Sequence, residues 1–271
     1  MELSWILPAA ETAYKHRDEI MRAWDRVMAL VRGKKSCIAF TGTMGVGKSA
    51  LFDYLTGRAY ARGYRPRGTS QAAERGEVLT RGSRMGIYVV PGQPSRPRRE
   101  TLDDLFGGKR KIHGVVHGVA NGFITLRCQV AMAALKRDAH ITTLEQYTQY
   151  QKRNELDDLG ETCDKIRNAL GKVRQPSWMI VAVTKIDLFY DEIAEVQRYY
   201  SPEGDSEFIT RMRTLEKQVG TDNFRWEAVP VCSWLEDFQW NGEVQRPSLN
   251  PLRRDHFLAQ LVELLESYCA G

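Results

Sequence analysis

The chain has no Cys-x-x-C pair, no apolar run of membrane-spanning length, no internal repeat and no low-complexity tract. Its five cysteines, at 37, 128, 163, 232 and 269, are odd in number and widely scattered. That pattern argues against a zinc ribbon or a disulfide framework and fits a reducing compartment. No stretch approaches the roughly 20 apolar residues that a membrane-spanning helix needs. Glu2 stands where a basic lead-in would precede the short Trp5–Ala10 stretch, so no secretory leader is expected. Glu2 also argues against N-myristoylation, and Cys269 is misplaced for prenylation. A cytoplasmic protein without a transmembrane segment is the expectation.

What the chain does have is Gly42-Thr43-Met44-Gly45-Val46-Gly47-Lys48-Ser49, which reads G-x-x-x-x-G-K-S, the phosphate-binding loop. The apolar run Cys37–Phe40 before it suits a buried strand, and Ala50–Leu55 after it continues as a helix. In that context the glycines let successive N–H groups converge on phosphate oxygens, and the new helix aims its positive end at the same point. Lys48 is then expected to reach the β- and γ-phosphates and Ser49 to ligate Mg²⁺. Trp178–Val183 is an uninterrupted apolar run rich in β-branched and aromatic residues and reads as a central parallel strand. It delivers Thr184-Lys185-Ile186-Asp187. A carboxylate there accepts from guanine N1–H and the 2-amino group, a donor pair that adenine lacks, so Asp187 is the expected base selector, with the Lys185 stem along the ring.

A third segment, Met85-Gly86-Ile87-Tyr88-Val89-Val90-Pro91-Gly92-Gln93, completes a pattern. With these motifs in this order the chain resembles the Ras/Arf-like small GTPases. Its V-P-G-Q segment is similar to that of the bacterial gliding-motility and polarity GTPases. The resemblance covers scattered motifs between about residues 35 and 233. It implies that Gly92 meets the γ-phosphate, that Gln93 orients the attacking water, and that GTP or GDP binds with Mg²⁺. The wider small-GTPase pattern has an aspartate at position 89, which the gliding-motility and polarity segment lacks; this chain has Val89 there. Slow intrinsic turnover and weak Mg²⁺ dependence are the expected consequences. Thr69 is the expected switch hydroxyl on the metal, with Ser70 its rival. Cys232-Ser233, after the strand expected over Phe224–Val231, stand at the place of the family's S-A motif. The expected nucleotide set is thus Gly42, Thr43, Met44, Gly45, Val46, Gly47, Lys48, Ser49, Ala50, Gly92, Thr184, Lys185, Asp187, Cys232 and Ser233. Lys48, Gln93 and Thr69 are the expected catalytic residues, and Ser49 and Thr69 the metal ligands.

Length and composition allow one or two domains, and 42% hydrophobic residues suffice to fill a six-stranded sheet core. The expected fold is α/β, a doubly wound, mostly parallel three-layer sandwich. It comprises an N-terminal amphipathic helical extension over 1–34 and a GTPase-like domain over 35–271, with insertions near 123–143 and 235–250. A helix over about 126–137 is expected in the first insertion, followed by a long helix over about 143–172. Asn241-Gly242 signals a hairpin in the second. A closing helix is expected from Pro251 to Tyr268.

Between Arg58 and Lys111 thirteen Lys/Arg face five Asp/Glu, which makes the presumed switch region the basic part of a chain of net charge +5. Such a face suits an acidic partner, an effector or regulator protein whose identity the sequence leaves unknown, or it is a solvated surface. No aromatic residues interleave the arginines in a stacking pattern, which disfavours nucleic acid. Arg58, Arg62, Arg65 and Arg67 are alternative candidates for an arginine finger acting in cis. Three functions stay open: a GTP-hydrolysing switch controlling a partner protein, a non-hydrolysing guanine-nucleotide-binding scaffold subunit, and an effector that binds an anionic ligand or nucleic acid through the basic segment and only retains a phosphate loop.

Overall fold

The computed structural model describes residues 34–68, 72–80, 83–107, 111–169 and 176–270. The expected N-terminal helix lies outside them, as do Thr69 and Ser70. Six strands form one sheet: β1 (Lys34–Thr41), β2 (Glu74–Thr80), β3 (Ser83–Val89), β4 (Gly114–Val119), β5 (Trp178–Val183) and β6 (Arg225–Pro230). Their order is β2-β3-β1-β4-β5-β6. All pairs are parallel except β2 with β3, an antiparallel edge.

Alternation along β5 shows why this sheet takes helices on both faces. Met179, Val181 and Val183 enter one core, and Trp178, Ile180 and Ala182 the other. The first core is covered by α2 (Arg96–Phe106), α4 (Leu144–Asn168) and α6 (Glu207–Val219), through Leu102, Leu159 and Met212 among others. The second is covered by α1 (Lys48–Leu55) and the closing helix α7 (Pro251–Ala270), through Phe52 and Leu261. Among the described residues the remaining α-helices are α3 (Gln129–Arg137) and α5 (Ile193–Tyr200). Asn241 and Gly242, both at positive φ, turn the hairpin between β7 (Phe238–Trp240) and β8 (Glu243–Gln245), as the Asn-Gly pair predicts.

The long helix begins at a capping box. The Thr143 hydroxyl accepts from the Gln146 amide while the Gln146 side chain reaches back to the Thr143 N–H. The helix expected from Leu126 instead starts at Gln129, because Cys128 is extended and the residues before it run along the phosphate loop. Strand β2 and helices α5 and α6 were not anticipated. The chain leaves β1 towards β3 on one side and β4 on the other, so the phosphate loop emerges where the strand order reverses. This is the crevice in which open α/β sheets bind ligands.

Candidate functional site

Three glycines at positive φ, Gly42, Gly45 and Gly47, curl the loop between β1 and α1. Gly45 is held where no side chain fits: a Cβ there would stand 2.4 Å from the Thr125 carbonyl oxygen. Lys48 is buried, and its Nζ donates to the carbonyls of Gly42 (2.6 Å) and Thr43 (2.8 Å). Burial lowers its pKa to about 8, with the Asp158 carboxylate opposing the shift and the Arg98 guanidinium adding to it.

The segment after β3 closes against this loop. A Cβ on Gly92 would lie 2.5 Å from Met44 Cα and 2.8 Å from Lys48 Nζ, so only glycine allows so close an approach. Gln93 Nε2 donates to Met44 Sδ at 3.1 Å. Beneath them Arg98, buried in α2, donates to the Pro91 carbonyl (3.0 Å) and pairs with Asp158 (2.7 Å) and Glu161 (2.8 Å) of α4. Ser49 Oγ donates to Glu74 Oε1 at 2.8 Å.

At the other end of the cleft stands the tetrad that follows β5. Thr184 Oγ1 lies 2.5 Å from the Val46 carbonyl and 2.9 Å from that of Val119. Lys185, at φ 56°, reaches Thr125 Oγ1 (2.5 Å) and the Phe123 carbonyl (2.8 Å), and burial lowers it to about 8. Asp187 is buried, and desolvation raises it to about 6 against the Cys232 thiol that donates to Oδ1 at 3.1 Å. Ser233 Oγ is buried with no hydrogen-bond partner among the described residues.

These groups share one cleft, with about 990 Å³ of open space including its solvent-filled mouth. Met44 to Ala50, Gly92, Thr184, Lys185, Asp187 and Ser233 line it directly, while Gly42, Thr43, Gln93 and Cys232 are not among its lining residues. The sequence reading did not reach Thr125, Arg127, Trp234, Glu236 and Phe238, which also line it. The hairpin signal found the strand that carries Phe238, but nothing local says that it faces the cleft. Of the four arginines proposed as fingers, Arg67 alone lines the cleft, and its guanidinium is held by Asp53 (2.5 Å) and Glu74 (2.6 Å). Arg62 and Arg65 are exposed, and Arg58 lies over the Phe52 ring.

No family model matches the chain, and neither does any curated protein. Among solved structures it is similar to the FeoB G-domain from Methanococcus jannaschii, at 17% identity and TM-score 0.40, over 88% of this chain and 100% of that one. It is also similar to the mammalian SRP receptor, at 18% identity and TM-score 0.39, over 73% of this chain and 91% of that one. Overlap this loose carries no argument about the site. Strand order and loop geometry define the α/β fold.

Proposed function

We propose that this chain binds a guanine nucleotide in the cleft and hydrolyses GTP slowly, as a switch for a partner protein. One observation carries the proposal: the phosphate loop around Lys48 and the buried Asp187 carboxylate line a single cleft, joined by the Thr184 hydroxyl on the Val46 carbonyl. The loop amides and Lys48 would hold phosphate oxygens, and Asp187 would accept from the base. The Cys232 thiol donates to that carboxylate and would help orient it.

Ser49 Oγ and the Glu74 carboxylate it donates to are oxygen donors of the kind Mg²⁺ takes. When bound, that ion would neutralise phosphate charge, with Ser49 holding it. Gln93, against Met44 on the same loop, is the residue available to orient water, and Lys48 balances charge on the transferring phosphoryl group. The basic segment over 58–111 is the proposed contact face for the partner, and a cytoplasmic location fits the scattered cysteines.

A second proposal, a scaffold subunit that binds guanine nucleotide without turnover, is favoured by Val89. Adding the carboxylate with Val89→Asp would raise turnover in such a protein and change little in one that has compensated. Calorimetric titration with GDP, a slowly hydrolysed GTP analogue and the matching adenine nucleotides, with and without Mg²⁺, tests the binding step. Guanine-selective binding is expected; equal binding of adenine and guanine would refute the role given to Asp187.

A further inference from the structure

Val89 closes β3 at the sheet end that carries the phosphate loop, and its side chain is buried and apolar. In the antiparallel β2-β3 pair its Cα partner is Glu74, the first residue of β2. A carboxylate therefore stands one strand away from the position where the family pattern expects one. It faces the loop: Glu74 Oε1 accepts from Ser49 Oγ at 2.8 Å. The other oxygen lies 2.6 Å from Arg67 Nη2. The Glu74 side chain is 13% exposed, and its charge is among those that support the Lys48 ammonium.

We propose that Glu74 is the carboxylate of the Mg²⁺ site, moved across the strand pair from position 89 to its register partner. The inference rests on the guanine-nucleotide function proposed above. Three features carry it. Phosphate-loop proteins hold the ion between the loop hydroxyl and a strand carboxylate. Here the loop hydroxyl already has a carboxylate partner, and that partner comes from β2. A hard cation takes oxygen donors, and Ser49 and Glu74 offer only oxygens. Arg67 balances the Glu74 charge in the arrangement described here, bridging it to the buried Asp53. A cation at Ser49 competes with that guanidinium for the same carboxylate.

The test uses the full chain as wild type, Glu74→Gln, and Glu74→Gln combined with Val89→Asp. GDP affinity is measured by calorimetry in Mg²⁺ and in EDTA, and Mn²⁺ in the GDP complex is followed by electron paramagnetic resonance. Glu74→Gln is expected to lose about tenfold more GDP affinity in Mg²⁺ than in EDTA and to bind Mn²⁺ correspondingly more weakly. The double variant, with a carboxylate back on the register partner, is expected to recover both. An unchanged Mg²⁺ response in Glu74→Gln overturns the inference while leaving nucleotide binding intact. A loss of GDP affinity as large in EDTA as in Mg²⁺ also overturns it, because it marks a merely structural role. A wild-type chain that binds no guanine nucleotide removes the proposed function and this inference together.

Discussion

Thr184 Oγ1 lies 2.5 Å from the carbonyl oxygen of Val46, across 138 residues of chain. This contact fixes the distance between the part of the cleft suited to phosphate and the part suited to a base. Both groups are buried, so the contact is in a low dielectric and has no water to replace it. Thr184→Val keeps the shape and removes the donor. It should cost about 1–3 kcal/mol of stability in thermal unfolding. Guanine-nucleotide affinity should fall with it, while the preference over adenine, set by Asp187, is retained.

Lys48→Ala should weaken GDP and GTP binding by about 2–5 kcal/mol, the range for deleting one partner of a buried charged contact. Asp187→Asn should leave phosphate binding in place and erase the guanine preference. Competition between guanine and adenine nucleotides distinguishes the two variants.

Nucleotide affinity should be bell-shaped in pH. Burial raises Asp187 to about 6, so the carboxylate that the base needs is lost as pH falls through that value. Burial lowers Lys48 to about 8, so the cation that the phosphates need is lost as pH rises through that value. The optimum should therefore lie near 7, and Asp187→Asn should flatten the acid limb alone.

Arg98 joins α2 to α4 and holds the Pro91 carbonyl just before Gly92. Arg98→Met keeps most of the stem but leaves the buried Asp158 without its cation. Glu161 is 39% exposed and adds little. A loss of roughly 3 kcal/mol is expected in denaturant unfolding, with turnover falling more than GDP affinity.

His117 is fully buried on β4, with Nδ1 2.9 Å from Thr41 Oγ1. Burial, helped by Arg98 and Lys48, depresses it to about 3, so the neutral ring is the native form. Its contribution to stability is complete above about 6.5 and is lost as pH falls from there towards 3. The slope is on the order of 1 kcal/mol per pH unit. Melting temperature should drop between pH 7 and pH 5 in the wild type and drop less in His117→Gln.

The phosphate loop, the strand before it and the helix after it were legible because they are local. Glycines at positive φ and a new helix need no distant partner to take shape. The buried strand at Trp178, the Asn-Gly hairpin and the closing helix were legible for the same reason, since periodicity and turn chemistry are written in neighbouring residues. Tertiary structure decided what depends on which distant segments meet. No local signal pairs Glu74 with Val89, because register in an antiparallel pair is set by the whole ladder and its packed faces. Nor does any signal join Arg98 to Asp158, 60 residues apart, or Cys232 to Asp187, 45 apart. Those contacts form only once both cores bring helices and strands to one end of the sheet, and there the electrostatics of the cleft is set.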